Sequence, residues 1–449
     1  ERGWRGGTAE GKELRTRRGS GNVAKDTAGE RTVAGLGVTE IAAQTGTPFY
    51  VVDAEDLQAR ARAFATAFAG WDVYYAAKSF LCKAVVRWVM AEGLGVDVCT
   101  GGELEVALAA GADPARLGLH GNNKSDGELR AALTHGVGRV IVDSLTEINR
   151  LGELAAETRT RPRVMVRVTA GVEAHTHSYI ATAHEDQKFG LSVTSGDAMA
   201  ALRACHADQN LELIGIHSHI GSQIFDAEGF EVAARRMLKL HADFAVATGT
   251  ELPEFDLGGG FGIAYTSADF PATAGELADA MTTIVTTECV ALGLSVPRLS
   301  IEPGRAISGP SAFALYSVGT VKQVALDGGL TRMYVSVDGG MSDNIRTALY
   351  AAEYSATVAN RRCQGAPRLA RVVGKHCESG DILVRDEFLP ADIRPGDLVA
   401  VPASGAYSRS MASNYNHVPR PPVVSVTDGR ISTLIRRETV GDLLALDVS

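Results

Sequence analysis

The sequence predicts an α/β protein in which a (β/α)8 TIM-like barrel is joined to a smaller C-terminal β domain of β-sandwich or Greek-key type. The first observation is a repeat that begins near residue 48, where short β-branched runs alternate with alanine-rich helical patterns such as residues 57–69. The second is a change after Gly309, where strand patterns follow one another with turn signals between them. The third is the length, because 449 residues with 45% hydrophobic side chains can bury two cores.

Four segments are predicted along the chain. Residues 1–31 carry eight Lys/Arg, five Asp/Glu and seven glycines with few large apolar side chains, which predicts a disordered basic tail. Residues 32–52 are assigned to an N-terminal segment that packs with the β domain. Residues 53–310 are assigned to the barrel, and residues 311–449 to the C-terminal β domain.

The composition narrows the class of function. A net charge of -9 disfavours nucleic acid or an anionic membrane as the partner. No apolar run approaches the roughly 20 residues that span a bilayer, and the N-terminus lacks the apolar core of a signal peptide. The six cysteines are scattered, which favours reduced thiols, and only Cys377 lies in a polar stretch. We therefore expect a cytoplasmic protein with a small-molecule partner.

Eight candidate strands precede Arg305, and they provide the barrel. They are residues 72–79, 95–100, 116–122, 139–144, 163–170, 213–222, 254–260 and 299–304. In a barrel of parallel strands, reactive groups gather at the C-terminal ends. The strand ends are therefore the places where the sequence indicates chemistry.

Lys78 ends the first candidate strand, in the stretch YYAAKSF. A lysine at such a position usually runs its stem along apolar surface and keeps its ammonium in water. Alternatively, a partly desolvated amine loses its proton more readily and becomes a nucleophile toward carbonyl groups. The strand by itself leaves both interpretations open.

Two histidines end the sixth candidate strand, where the period of two places His217 and His219 on one face. One interpretation is a hydrogen-bonded core histidine with a bystander. A second is zinc binding, to which His175 and His177 would add imidazoles. A third is an aromatic ring beside a planar cofactor.

The seventh and eighth strands end in a glycine run and in a charged turn. Residues 258–260 are glycines whose backbone N–H groups can converge on a phosphate, although a plain turn has the same sequence. Glu302 and Arg305 place a carboxylate and a guanidinium at the rim, where a surface ion pair is the simpler alternative. Together with Lys78 and a stacking imidazole, these groups meet the needs of pyridoxal phosphate, because lysine forms its Schiff base and a carboxylate keeps its ring nitrogen protonated.

With these motifs in place, the chain resembles the fold-type III pyridoxal-phosphate-dependent decarboxylases, and among them the diaminopimelate decarboxylases. The resemblance covers residues 33–449. It rests on seven motifs in order, YYAAKSF, HSHIGSQI, DLGGGFG, EPGRAI, DGGMSDNIRTALY, GKHCESGD and GAYSRSMASNYN.

The resemblance implies a role for each matching residue. Lys78 would carry the cofactor, His219 would stack on its ring, Glu302 would pair with its nitrogen, and Cys377 would donate a proton. The implied cofactor-binding residues are Lys78, His219, Ser222, Gly259, Gly260, Glu302, Pro303, Gly304, Arg305 and Tyr407. The implied substrate-binding residues are Arg305, Arg346, Tyr350, Glu378 and Tyr407.

The resemblance also implies a homodimer in which Cys377 and Glu378 act at the partner subunit's cofactor. Many relatives carry proline where this chain has Ile345 or Thr347 beside Arg346, which changes the local backbone but keeps the guanidinium. The implied reaction is decarboxylation of meso-2,6-diaminopimelate to L-lysine and CO2, the last step of lysine biosynthesis, with no metal. Ornithine, arginine or carboxynorspermidine are the alternative substrates, and the paired arginines favour diaminopimelate.

Overall fold

The computed structural model describes residues 23–171 and 188–449. The chain divides into two compact units by its internal contacts. Among the described residues, the barrel unit comprises residues 60–171, 188–262 and 271–304, and the β unit comprises residues 23–59, 263–270 and 305–449. The predicted barrel and separate β-rich domain are confirmed.

The chain begins, within the described residues, with short strands of the β unit. Its first elements are β1 (Val23–Lys25), β2 (Arg31–Val33), β3 (Leu36–Gly37), α1 (Val38–Thr45), β4 (Phe49–Asp53) and α2 (Ala54–Ala67). Strands β1, β2 and β3 form a small antiparallel sheet.

A disordered tail is predicted for residues 1–31, but the first strand of this small sheet begins at Val23. Residues 1–22 lie outside the described residues. Val23 pairs with Val33, which is fully buried, and the N–H of Arg31 donates to the carbonyl of Ala359 at 2.7 Å. The prediction is wrong for residues 23–31, because strands of three residues carry too few apolar side chains to change the local composition.

The barrel strands follow. They are β5 (Asp72–Ala76), β6 (Gly95–Val98), β7 (Leu117–Leu119), β8 (Arg139–Val142), β9 (Arg163–Thr169), β10 (Leu191–Ser192), β11 (Glu212–His217), β12 (Glu254–Asp256) and β13 (Arg298–Ile301). Eight of them pair in parallel in the order β5-β6-β7-β8-β9-β11-β12-β13, and β13 pairs with β5 to close the ring. The two-residue β10 pairs with β9.

Helices connect the barrel strands. They are α3 (Lys83–Ala91), α4 (Gly101–Ala109), α5 (Asp126–His135), α6 (Leu145–Thr158), α7 (Asp197–Ala207), α8 (Glu228–Thr248) and α9 (Ala274–Leu292). Two of these helices begin with a capping box, in which Ser125 pairs with Glu128 and Thr273 pairs with Glu276. Such caps satisfy the first free N–H groups, so that each helix starts at a defined residue after its strand.

All eight predicted barrel strands exist, but several end earlier than predicted. The first ends at Ala76 and is followed by a 3₁₀ turn at Ala77–Ser79, and the sixth ends at His217 rather than at residue 222. The predicted site residues therefore lie in the segments just beyond the strands, where the backbone is no longer bound by ladder hydrogen bonds.

The β unit continues after the barrel with α10 (Arg305–Ser308), β14 (Ala312–Ala325), β15 (Thr331–Val337), α11 (Arg346–Tyr350), β16 (Thr357–Val358), β17 (Pro367–Val373), β18 (Ile382–Pro390), β19 (Leu398–Pro402), β20 (Val423–Thr427), β21 (Arg430–Ile435) and α12 (Val440–Leu444). The main strand order is β18-β17-β15-β14-β4-β20-β21. The first part of β14 pairs with β4 and β19, and its last part pairs with β15.

The segment before the barrel supplies an interior strand of this sheet. Strand β4 pairs antiparallel with β14 and parallel with β20, and Phe49 and Val51 lie in a core with Leu315 and Val424. The predicted Asp428-Gly429 hairpin is confirmed, because both residues have positive φ, as a two-residue turn between β20 and β21 requires. Among the helices of the described residues, none is both long and apolar enough to cross a bilayer.

Candidate active site

Lys78 lies at the mouth of the barrel, immediately beyond β5. Its neighbours Ala77 and Ser79 are buried, whereas Lys78 itself is exposed. The Ser79 hydroxyl donates to the carbonyl of Ala76 at 3.0 Å, and the Tyr75 hydroxyl donates to the carbonyl of Phe80 at 2.7 Å. The backbone on both sides of Lys78 is thus fixed by buried hydrogen bonds, while the Lys78 side chain remains exposed.

Glu302 follows β13, the strand paired with β5, and it is buried. Its Oε1 lies 3.0 Å from Nε2 of His217 and 3.2 Å from Nε2 of His120. Burial alone would raise the pKa of Glu302, yet the charges and hydrogen bonds of the two imidazoles hold it well below 4.5. The chain therefore keeps an ionised carboxylate at this strand end.

A second carboxylate lies close to Nε2 of His120. This nitrogen lies 3.3 Å from Oδ1 of Asp97, which is also buried. Burial alone would lower the pKa of His120, yet the carboxylates of Glu302 and Asp97 raise it to about 9. Sequence reasoning did not single out His120, although it lies near the end of the third predicted strand, residues 116–122, and directly follows β7.

Arg139 lies below these groups as a fully buried guanidinium. Its Nη2 lies 2.7 Å from Oδ2 of Asp256, 3.6 Å from Oδ1 of Asp97 and 3.9 Å from Oε1 of Glu302. The guanidinium carbon is 3.7 Å from the ring centroid of Tyr74. One cation is thus shared among three buried carboxylates. Sequence reasoning missed it because Arg139 begins its strand, far from the predicted reactive end.

His219 lies beyond β11, in a different environment from His217. The N–H of Gly259 donates to Nδ1 of His219 at 3.3 Å, so this nitrogen carries no proton and the ring is a neutral acceptor. Burial, together with the charges of Lys78 and Arg167, lowers the pKa of His219 well below 6.5. A neutral, half-buried ring near Lys78 is suited to stacking.

The glycines at the end of β12 allow close backbone approach. A Cβ at Gly259 would lie 2.3 Å from the carbonyl oxygen of Glu302, and a Cβ at Gly260 would lie 2.5 Å from that of Gly221. Gly260 also has φ of +106°, which L side chains rarely adopt. Any side chain here would push the loops beyond β11, β12 and β13 apart.

The remaining predicted cofactor residues of the barrel unit lie in the same loops. The carbonyl of Pro303 accepts from the N–H of Ala76 at 3.2 Å, and a Cβ at Gly304 would lie 3.1 Å from Oγ of Ser79. Ser222 lies half-buried in the loop beyond β11. The structure thus joins the loop that carries Glu302 to the turn that carries Lys78.

The two histidines of the zinc interpretation, His217 and His219, do not face the same partners. His217 faces Glu302 and His120, whereas His219 accepts from Gly259. His175 and His177 lie outside the described residues. Donor atoms of His120, His217 and Glu302 do lie within 4.8 Å of one another, a set that could hold a metal ion. The guanidinium of Arg139 already supplies a positive charge 3.9 Å from the same carboxylate oxygen, which disfavours a cation there.

Two buried arginines of the β unit lie among tyrosines. Nη1 of Arg305 donates to the Tyr265 hydroxyl at 2.5 Å, and its guanidinium carbon is 4.7 Å from the ring centroid of Tyr407. Nη1 of Arg346 donates to the Tyr354 hydroxyl at 2.6 Å, and its guanidinium carbon is 5.0 Å from the ring centroid of Tyr265. Phenols orient a guanidinium without neutralising it, so this cluster is suited to binding anions.

The predicted substrate residue Tyr350 lies elsewhere. Its side chain ends α11 and is 61% exposed, and the phenol bound to Arg346 belongs to Tyr354, which is 4% exposed. The sequence offers both tyrosines four residues apart, and only the direction of the chain after α11 decides which one reaches the guanidinium. Tyr265 and Tyr354 were missed by sequence reasoning.

Cys377 and Glu378 lie together in the loop between β17 and β18, and both are exposed. Their neighbour His376 is buried, with Nε2 2.7 Å from Oγ of Ser342, and its N–H donates to Oδ2 of Asp381 at 2.7 Å. The loop is therefore anchored at His376 and Asp381 while the thiol and the carboxylate between them face outward. All six cysteines are free; Cys82, Cys205 and Cys289 are buried, and Cys99 and Cys363 are half-buried.

Comparisons with known proteins agree with this arrangement. The pyridoxal-binding domain of pyridoxal-dependent decarboxylases matches residues 54–309. Diaminopimelate decarboxylase of Mycobacterium tuberculosis is 55% identical over 432 residues, which cover 95% of this chain and 97% of that protein. That of Bacillus subtilis is 42% identical over 424 residues, which cover 94% and 95%.

A solved structure gives the same result. Diaminopimelate decarboxylase from M. jannaschii, in complex with L-lysine, has a TM-score of 0.88 at 29% identity and covers 95% of this chain and 98% of its own. Sequence and structure comparisons therefore agree over nearly the whole length. The chain belongs to the diaminopimelate decarboxylase family of pyridoxal-dependent enzymes.

Proposed function

We propose that this protein uses pyridoxal 5'-phosphate to decarboxylate meso-2,6-diaminopimelate to L-lysine and CO2. The observation that carries this proposal is the placement of Lys78 and Glu302, an exposed amine and a buried ionised carboxylate, beyond the ends of the paired strands β5 and β13. The relatives named for this reaction, and the relative solved with L-lysine, support it.

The barrel residues fit the cofactor in their chemistry. Lys78 would hold it through its amine, the neutral imidazole of His219 would stack on its ring, and Glu302 would keep its ring nitrogen protonated. Gly259, Gly260, Ser222 and the turn from Pro303 to Arg305 would hold its phosphate. The glycines supply a cradle that any Cβ would fill.

When bound, pyridoxal phosphate supplies an electron-withdrawing ring that accepts the electron pair left by the departing carboxylate. The buried carboxylate of Glu302 holds the proton on the ring nitrogen, so that this capacity is retained. The bond between Cα and the carboxylate breaks, CO2 leaves, and a new Cα–H bond forms. Sγ of Cys377 delivers that proton, since a thiol can give up a proton near neutral pH beside a cationic group.

The substrate is recognised by its charges. Arg305 and Arg346 bind carboxylates of the substrate, with Tyr407 in contact with it, and Glu378 meets its distal ammonium. Diaminopimelate carries a second α-amino acid head, whereas ornithine and arginine do not, so two buried guanidinium groups favour diaminopimelate. We retain Tyr350 as a residue that binds the substrate together with Arg305 and Arg346.

We also propose a homodimer in which Cys377 and Glu378 act on the substrate held at the partner's Lys78. Both residues are exposed on a loop that is anchored on either side, as expected for groups that contribute to a site outside their own loop. A two-fold interface would give two equivalent composite sites.

Product analysis tests the function. The purified protein, supplied with pyridoxal phosphate, is offered meso-diaminopimelate, ornithine, arginine and carboxynorspermidine separately, and the amine products are identified by mass spectrometry. We expect L-lysine from diaminopimelate at a kcat/KM at least a hundredfold above that for the other substrates. Preferential turnover of another substrate would favour the alternative decarboxylases. Loss of turnover after removal of metal ions by a chelator would favour a metal centre at His120, His217 and Glu302.

A further inference from the structure

His120 occupies an unusual position, because one of its nitrogens faces two buried carboxylates. Nε2 lies 3.3 Å from Asp97 Oδ1 and 3.2 Å from Glu302 Oε1, and the side chain of His120 is 7% exposed. The mechanism described above uses Glu302 but gives no role to His120 or Asp97. Two buried carboxylates are costly for the folded state unless a positive charge lies between them.

We propose that His120 is a positioning residue that is positively charged at neutral pH and, clamped between Asp97 and Glu302, keeps Glu302 ionised for the ring nitrogen of the cofactor. The inference rests on the proposed function and extends it. It assigns the ionisation of Glu302 to two residues, His120 and Asp97, that have no role in the mechanism described above.

The charges of the buried cluster support this assignment. Asp97, Asp256 and Glu302 contribute three negative charges, and Arg139 contributes one positive charge. A charged His120 leaves the cluster with a single net negative charge, which one protonated pyridine nitrogen would balance. A neutral His120 would leave two negative charges, and Glu302 would lose one of the charges that hold its pKa down, so that it would take up a proton at a higher pH.

His120 and His217 differ in the number of carboxylates they face. Nε2 of His217 lies 3.0 Å from Oε1 of Glu302, whereas Nε2 of His120 lies 3.2 Å from the same oxygen and 3.3 Å from Oδ1 of Asp97. A positive charge on His120 is therefore compensated by two carboxylates.

The effect of pH depends on the titratable and charged groups that face His120 among the described residues. These are Asp97 of β6, Glu103 of α4, Arg139 of β8, His217 of β11 and Glu302 beyond β13. The carboxylates of Glu302 and Asp97 together raise the pKa of His120 to about 9 despite its burial. The imidazolium should thus persist through neutral pH and be lost only in alkaline solution.

Two substitutions separate the charge from the fold. Asp97→Asn removes one of the two carboxylates, so His120 should lose its proton at a lower pH, and the alkaline limb of the kcat profile should move down by at least one pH unit. His120→Gln removes the charge, so Glu302 should take up its proton at a higher pH. In that variant kcat should fall at least tenfold with KM within threefold, and the acid limb of the kcat profile should move to higher pH.

The matched control is His241→Gln. His241 is a buried histidine of α8 that accepts from the N–H of Leu252 at 2.7 Å, and its replacement should leave both limbs of the profile in place.

A second readout does not need turnover. Full-length protein labelled with ¹⁵N-histidine is titrated by NMR from pH 5 to 10, with and without bound pyridoxal phosphate, and the His120 resonances are identified by their absence from His120→Gln. We expect both nitrogens of His120 to be protonated at pH 7 and the midpoint to fall in Asp97→Asn. If His120→Gln does not fold, the resonances are identified by their absence from His120→Asn, and the midpoint measured in Asp97→Asn decides.

The outcomes distinguish this inference from the proposed function. A neutral His120 at pH 7, or an Asp97→Asn protein whose His120 midpoint and alkaline limb stay in place, would overturn the inference even if L-lysine is produced. A charged His120 that responds to Asp97→Asn would support it even if another amino acid proves to be the substrate.

Discussion

Nε2 of His217 lies 3.0 Å from Oε1 of Glu302 in the interior of the barrel unit. Nε2 of His120 lies 3.2 Å from the same oxygen. Two imidazoles beside one carboxylate oxygen favour its ionised form and lower the pKa of Glu302. Glu302 is therefore an ionised group before any cofactor is bound.

Replacing that charge should reduce turnover and spare binding. Glu302→Gln keeps the size of the side chain but removes its negative charge, so we expect kcat to fall at least a hundredfold while the cofactor still attaches to Lys78. Steady-state kinetics and the visible absorbance of the purified variant measure the two effects. Glu157→Gln, at an exposed pair with Arg130, is the control. Near-native turnover in Glu302→Gln would contradict the assigned role.

The arginine cluster predicts a change in substrate affinity. Arg346→Lys removes the forked guanidinium and its contact with Tyr354, so kcat/KM for diaminopimelate should fall at least tenfold, mostly through KM. Tyr354→Phe should produce a smaller loss of the same kind, because only the 2.6 Å hydrogen bond is removed. Arg368→Lys, an exposed residue of β17, serves as the control. Unchanged KM in both variants would place the carboxylate site elsewhere.

The buried His120 also predicts how stability varies with pH. Its pKa rises from 6.5 to about 9 in the folded chain, so its contribution is fully present below pH 6.5 and is lost as pH rises through about 9. The difference corresponds to about 3 kcal/mol. We expect the Tm of wild type to fall by several degrees more than that of Asp97→Asn between pH 6.5 and 9.5. Parallel Tm curves for the two proteins would show that the pair carries no such energy.

A shared active site can be tested by mixing variants. Lys78→Ala and Cys377→Ala are each expected to be nearly inactive, and subunit exchange should restore one intact site per heterodimer. Activity should recover to about a quarter of wild type when half of the chains are in heterodimers. The exchange is followed with differently tagged chains. Full exchange without recovery would place both residues in a site formed by one chain.

The sequence was most informative where periodicity and local turn chemistry decide the structure. The eight barrel strands, the change to a β-rich domain after residue 309 and the Asp428-Gly429 hairpin are all set by patterns of a few neighbouring residues. The strand-end rule located Lys78, His219 and Glu302 for the same reason, since each closes a recognisable apolar run.

The residues that sequence reasoning missed act over long distances in the chain. Arg139 is the first residue of β8, a position where a charged side chain is common. Its guanidinium nevertheless lies in the barrel interior, 2.7 Å from Oδ2 of Asp256. Tyr354, whose hydroxyl accepts from Arg346, was missed because the course of the chain after α11 is not encoded by periodicity. The strand at residues 23–25 was missed because its pairing with β2, and not its composition, makes it a strand.

Every proposed role in the barrel depends on Lys78 holding the cofactor, and reductive trapping tests this most directly. The protein is incubated with pyridoxal phosphate, reduced with borohydride, digested, and the modified peptide is sequenced by mass spectrometry. We predict a single stable adduct on Lys78, a visible absorbance band that is lost on reduction, and neither signal in Lys78→Ala. An adduct on another lysine, or an unchanged adduct yield in Lys78→Ala, would contradict the account.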